Sequence, residues 1–130
     1  LSRGHPRSAQ LTYGQNDHKP LIGQSLCLSS RFLSLLVDTM HQAGADVQYV
    51  ILPVNGKWYD HLGIHRSTRE PVYKKIHKTV VGHGGKVYDM SNKDYEKYVL
   101  SDVVHVGWKG WVYMDRQIEK HMNDYQAHSK

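Results

Sequence analysis

Val47-Gln48-Tyr49-Val50-Ile51-Leu52, closed by Pro53, is apolar at nearly every position and reads as a strand. A strand with one wet face alternates polar and apolar residues. One that is apolar throughout is expected where both faces are covered, as in a parallel sheet flanked by helices. Pro53 ends it, having no N–H to give to a ladder. The segment Asn55 to Gly63 then follows the strand's carboxyl end, where open α/β sheets place their ligands.

Outward from this strand, helical and extended patterns alternate. Upstream, Ser29 or Ser30 can cap a helix to about Ala43, with Phe32, Leu33, Leu36, Val37 and Met40 on one face and Gly44 as its stop. Downstream, Ser67-Thr68-Arg69-Glu70 has the form of a capping box. Val72, Ile76 and Val80 recur at fourfold spacing and predict the core stripe of a helix ending near Val81, closed by Gly82, Gly84 and Gly85. Lys86-Val87-Tyr88-Asp89 reads as a second short strand. Ser91 can cap a brief helix through Tyr98. A last helix starts near Gly110, with Trp111, Met114, Ile118 and Met122 on one face, and the tail from Asn123 is expected to fray.

This order predicts an α/β fold with a parallel sheet. Leu1 to Gln24 is broken by Pro6, Gly14, Pro20 and Gly23 and is expected to be irregular, apart from a short strand at Leu11–Tyr13. The expected division is an irregular segment over residues 1–28 and an α/β part over 29–130. Two strands are few for a complete sheet, so earlier strands are expected to lie elsewhere.

The chain has 130 residues, 39% hydrophobic and 22% charged, which suits one globular domain. No apolar run approaches the ~20 residues of a transmembrane helix, and the N-terminal residues lack the apolar core of a signal peptide. The net charge of +5, with ten histidines besides, favours anionic partners. Lys74, Lys75 and Lys78 interleave with a helical pattern and form its exposed face, so no nucleic-acid partner is expected. Cys27 is the single cysteine, which excludes an internal disulfide and a Cys-rich zinc site; it reads as a small core residue. His61 and His65 have helical metal-ligand spacing, but Gly63 between them argues against a helix and no third ligand is evident. No metal and no cofactor are expected.

The chemistry centres on Ser101-Asp102-Val103-Val104-His105-Val106-Gly107-Trp108-Lys109-Gly110-Trp111. Asp102 and His105, with two residues between them, suit a general base and its orienting carboxylate. The Asp accepts from one ring nitrogen and fixes the tautomer; the other nitrogen is free to take a proton from a hydroxyl nucleophile. Their side chains are expected to be hydrogen-bonded. Gly107 and Gly110 are expected to allow tight backbone geometry.

Asp102 to Trp111 resembles the C-terminal motif of the DltD family, which acts last in D-alanylation of lipoteichoic acid. Ile51-Leu52-Pro53-Val54-Asn55-Gly56-Lys57-Trp58-Tyr59-Asp60, with Gly63 close behind, resembles that family's segment after a central strand. The likeness covers about Leu33 to Met122, with the two blocks in the family's order. It implies an SGNH-hydrolase-like, partial doubly wound (flavodoxin-like) three-layer fold, of which this chain would be the C-terminal portion. A membrane anchor and a serine-bearing segment are expected upstream of it.

The resemblance also implies roles. His105 would be the base and Asp102 its orienting partner. Asn55 would donate to substrate or stabilise the loop, with Trp58, Trp108 and Lys109 as further substrate-binding candidates. Trp111 fits the core better, in phase with Met114 and Ile118. Gly14-Gln15-Asn16-Asp17 matches the Gly-x-Asn-Asp block of SGNH hydrolases, making Asn16 a candidate oxyanion donor; the same residues also suit an ordinary turn. No serine stands in a comparable nucleophile setting, Ser25 included. The implied partners are lipoteichoic acid and a D-alanyl donor, protein or thioester carrier, at the extracytoplasmic face of a Gram-positive membrane. The second reading is a binding module without chemistry, recognising an anionic teichoic acid chain or an acyl carrier.

Overall fold

The computed structural model describes the backbone of residues 19–128 and the side chains from residue 30 onward. The elements are α1 (Lys19–Gln42), β1 (Gln48–Ile51), α2 (Gly56–His61), α3 (Arg66–Gly82), β2 (Lys86–Asp89), a 3-10 turn at Ser91–Lys93, and α4 (Trp108–His128). β1 and β2 pair in parallel, Gln48 opposite Lys86 and Ile51 opposite Asp89. The Met90 N–H donates to the Ile51 carbonyl and carries the ladder one step further. α3 crosses between the strands and packs on both, and α1 packs on α3. This is an α/β arrangement with a parallel sheet.

The core is small: Val37 of α1, Ile51 of β1, Val80 of α3, and Met90 and Val99 after β2 are buried. The stripe expected on α3 is the one observed, with Val72 and Ile76 half-buried above Val80. The stripes expected on α1 and α4 are not. On α1, Leu33 and Val37 turn inward, but Phe32, Leu36 and Met40 are exposed. On α4 the inward face is Gly110, Tyr113, Met114, Gln117 and His121, while Trp111, Ile118 and Met122 face out. That is a rotation by about one residue, or roughly 100°, from the expected face. Trp111 is therefore not a core residue; it is 58% exposed.

Other boundaries also moved. α1 begins at Lys19, about ten residues before the expected cap, with Pro20 in its first turn where an N–H is dispensable. The strand expected at Leu11–Tyr13 lies outside the described residues. The capping box does not operate: α3 starts at Arg66 with His65 as its N-cap, and Glu70 pairs with Lys74 at 2.7 Å. In place of a helix over Ser91–Tyr98 there is one 3-10 turn, and Asp89 Oδ1 accepts from the Ser91 N–H at 2.8 Å. α4 runs on to His128 past the expected fraying point.

What replaces the capping box is a buried guanidinium. Arg69, 5% exposed, donates from Nη1 to Asp60 Oδ1 at 2.8 Å and to the Ile64 carbonyl. From Nη2 it reaches Asp94 Oδ2 and the Tyr95 hydroxyl, each at 3.0 Å. Tyr95 donates in turn to Asp60 Oδ2 at 2.6 Å. Burial pulls the Arg69 pKa down, but the bonds to Asp60, Tyr95 and Asp94 outweigh it and hold it above its ordinary value. The Tyr95 hydroxyl and then Arg69 hold Asp60 below the usual carboxylate range.

Two tests follow from this packing. Arg69→Leu takes from the buried Asp94 carboxylate its 3.0 Å partner, leaving the Arg66 guanidinium at 3.8 Å, and is expected to cost about 3–5 kcal/mol in urea unfolding. An Ala Cβ at Gly110 would stand 2.4 Å from the Val99 carbonyl oxygen, whereas one at Gly82 meets nothing within 4 Å. Helix propensity alone favours Ala over Gly, by about 1 kcal/mol in a helix interior and by less at these two end positions. The clash outweighs it at Gly110, where Ala is expected to destabilise by about 1–3 kcal/mol. Gly82→Ala is expected to be neutral or stabilising, and equal effects at the two sites would refute the close approach.

Candidate active site

The carboxyl end of β1 leads through Pro53 and Val54 to Asn55. The Val54 N–H donates to the Tyr73 hydroxyl of α3 at 3.0 Å, which fixes the exit of the strand. Asn55 then caps α2: its Oδ1 accepts from the Trp58 N–H at 3.3 Å. Its carbonyl accepts from the Tyr59 N–H at 3.0 Å, and its two donors turn to the 101–105 loop. The backbone N–H donates to the Val103 carbonyl at 2.9 Å, and Nδ2 donates to the Asp102 carbonyl at 3.2 Å.

The loop is closed at its base by the Leu100–Val106 bridge and by the Ser101 N–H donating to the His105 carbonyl at 2.9 Å. Inside it, Asp102 Oδ1 accepts from the Val104 and His105 N–H groups at 3.0 and 2.9 Å. This local turn leaves Oδ2 for the His105 ring, whose Nδ1 lies 2.7 Å away. These contacts hold the Asp102 carboxyl down at about 2: the His105 backbone N–H contributes most, then that of Val104, then the His105 ring. An ionised carboxylate can only accept. The proton of the bond therefore sits on Nδ1, and in the neutral imidazole Nε2 is the nitrogen left with the lone pair. The His105 side chain is 76% exposed, and no described residue is bonded to Nε2. The pair expected from its spacing is thus in hydrogen-bond contact.

The remaining candidates divide. Asn55 stands against the Asp102 loop, and Trp58 begins one turn further along α2, half exposed. Trp108 packs its exposed ring on Tyr98, centroids 5.8 Å apart. The Lys109 ammonium is committed to Glu96, which also accepts from Tyr113 at 2.7 Å and Lys93 at 3.1 Å. Lys109, then Tyr113 and Lys93, pull Glu96 down to about 2. Lys109 ties α4 to the 91–98 segment. Asn16 lies outside the described residues. Ser101 Oγ donates to the His105 carbonyl at 3.3 Å, and no described hydroxyl is bonded to the His105 ring. Among the described residues no group of His, Cys, Asp and Glu could hold a metal ion, and no helix is long and apolar enough to cross a membrane.

Sequence reading missed Tyr95, Glu96 and Tyr98. With Asn55, Lys57, Asp94, Lys97 and Leu100 they line a cleft of about 310 Å³. Tyr98 has a φ of 70°, a left-handed conformation unusual for a side-chain-bearing residue. Its carbonyl accepts from the Lys109 N–H at 3.2 Å, and a Cβ on Gly107 would lie 2.4 Å from that oxygen. A glycine is therefore required at 107.

The Asp102 turn sets a pH dependence. Its pKa is lowered in the folded chain, so its contribution is complete above the unfolded value of about 4. It is lost as pH falls through about 2. Amide chemical shifts of Val104 and His105 are expected to stay native down to about pH 4 and to change together below it; a midpoint at or above 4 would refute the turn.

The comparisons with known proteins bear on this geometry. The family described as "DltD protein" matches residues 32–123. The chain is 71% identical over 90 residues to Protein DltD of Staphylococcus aureus (strain NCTC 8325 / PS 47), covering 69% of this chain and 23% of that protein. It is 39% identical over 100 residues to Protein DltD of Bacillus subtilis (strain 168), covering 75% and 26%. It is 27% identical over 96 residues to Protein DltD of Lacticaseibacillus rhamnosus, covering 73% and 23%. The chain thus spans about a quarter of the length of these relatives. The matched span runs from α1 into α4 and contains both Asn55 and the Asp102–His105 loop, and the chain belongs to the DltD family.

Proposed function

We propose that this chain carries the Asp102–His105 half of a serine-type acyl-transfer site in a longer protein acting in D-alanylation of lipoteichoic acid. The observation that supports it is the 2.7 Å contact between Asp102 Oδ2 and His105 Nδ1, with Nε2 open to solvent. The Asn-bearing segment past the end of β1 stands beside it, at the edge where α/β sheets bind ligands. The parent fold in this reading is an SGNH-hydrolase-like doubly wound sheet, of which β1 and β2 are two parallel strands.

In the reaction, His105 Nε2 takes the proton of a serine hydroxyl supplied from outside the described residues. The serine oxygen attacks the D-alanyl carbonyl, and the proton passes to the donor's leaving group. A glycerol-phosphate hydroxyl then gives its proton to Nε2 and attacks the acyl-enzyme, which restores the serine. Asp102 keeps the imidazole in the required tautomer and stabilises the imidazolium at each step. Water as acceptor would make the same site an esterase or thioesterase. The net charge of +5 suits a phosphate-rich acceptor. The parent would work at the extracytoplasmic face of a Gram-positive cell membrane, held there by an anchor outside this chain.

His105→Ala in the full-length parent is expected to lower D-alanyl transfer by ~10²–10⁴-fold. The side chain is exposed, so the melting temperature should move little, within about 0.5 kcal/mol of stability. Ester-linked D-alanine on lipoteichoic acid, read beside circular dichroism of the purified variant, checks both. Wild-type D-alanylation in a folded His105→Ala protein would discard catalysis in favour of the binding module.

A further inference from the structure

We infer that Asn55 is a positioning residue for the Asp102–His105 pair. This rests on the catalytic reading of that pair. The 101–105 loop is held together almost wholly by its own bonds: Ser101 to His105, and Asp102 to Val104 and His105. These fix its internal shape but not its place on the body of the protein. Beyond its base, the bonds that tie it to another element among the described residues both come from Asn55: the backbone N–H on the Val103 carbonyl, and Nδ2 on the Asp102 carbonyl.

Each functional group of the Asn55 side chain has a structural use. Oδ1 faces the Trp58 N–H and caps α2, while Nδ2 faces Asp102. Aspartate or serine would serve the cap equally well. The carboxamide carries its acceptor and its donor on two separate atoms, and so links the start of α2 to the peptide of the orienting carboxylate, a span that the single oxygen of serine does not cover.

Asn55 is itself anchored. The next N–H, of Gly56, donates to the Asp94 carbonyl at 2.7 Å, and the Tyr95 ring packs where a Gly56 Cβ would stand. Asp94 and Tyr95 are both held by the buried Arg69. The loop that carries His105 is therefore referenced through Asn55 to the most tightly bonded part of the chain.

The test uses the full-length parent with Asn55→Ser, which keeps a cap and is too short to reach the Asp102 carbonyl. Asn55→Asp is the second variant, of equal length and without the donor. One lost hydrogen bond corresponds to about three- to tenfold in an opening equilibrium. Amide exchange at residue 55, whose N–H donates to the Val103 carbonyl, is expected to speed up by about that factor in both variants relative to its intrinsic rate, with α2 and β1 protection unchanged. The rate constant kcat for D-alanyl transfer should fall with little change in KM for either substrate. In a His105→Ala background, Asn55→Ser should cause no further loss, because residues acting as a unit are not additive. Unchanged exchange at residue 55, exchange that rises equally through α2 and β1, or a full additional loss in the His105→Ala background would each overturn the inference. An active His105→Ala protein would instead overturn the catalytic reading, and the exchange data would still report on the tether.

Discussion

Burying the Arg69 guanidinium constrains more of this molecule than any apolar contact does. A buried cation is costly unless every partner is in place, and a buried ion pair is a weak source of net stability. What it supplies here is geometry. Its partners come from three places: Asp60 at the end of α2, the Ile64 carbonyl before α3, and Asp94 with Tyr95 after β2. Both parallel strands deliver their chains to this point. Leu or Met in place of Arg69 could fill the volume but could not set the angles at which these segments meet, because hydrogen bonds are directional and dispersion contacts are not.

From that point the constraint passes outward in short steps. Gly56 lies against Tyr95 and bonds to Asp94, so the start of α2 cannot slide. Asn55 carries this fixed start to the Asp102 loop. On the other side of the loop, α4 is drawn in by Gly107 and Gly110, whose missing Cβ atoms let it lie against the Tyr98–Leu100 backbone. Glu96 adds bonds to Lys109 and Tyr113 across the same contact. The left-handed backbone at Tyr98, a conformation worth about 1–3 kcal/mol of strain, is offset by this close contact. His105 can then be largely exposed and still have a defined place, since the loop is held at one side by α2 and at its base by α4.

What could be read from the sequence was what depends on local spacing. β1, β2 and the Val72–Ile76–Val80 stripe follow from period and composition within a few residues. The Asp102–His105 contact follows from a turn that Asp102 itself builds. The misreadings share a cause in distant partners. Ser67-Thr68-Arg69-Glu70 has the letters of a capping box, yet the Arg69 side chain belongs to a network reaching residues 60 and 95, and Glu70 faces Lys74. Lys109 reads as a free cation beside a catalytic motif, yet Glu96 occupies it. Asn55 has the form of a turn residue, and nothing local shows that its amide meets a loop nearly fifty residues on.

The helix faces teach a different point. α1 and α4 carry large apolar residues around much of their circumference, so periodicity there does not single out one side. Choosing the bulkiest set placed Trp111, Ile118 and Met122 in the core, and the structure places them outside. The better signal on α4 is its smallest residue. A glycine inside a helix costs about 1 kcal/mol against alanine, and a sequence that keeps one there needs the missing Cβ. Gly110 meets the Val99 carbonyl, and Tyr113, Met114, Gln117 and His121 follow it on the same side at helical spacing. Where an amphipathic pattern is broad, the position at which another backbone must pass close by orients the helix. The large side chains then take whatever direction remains.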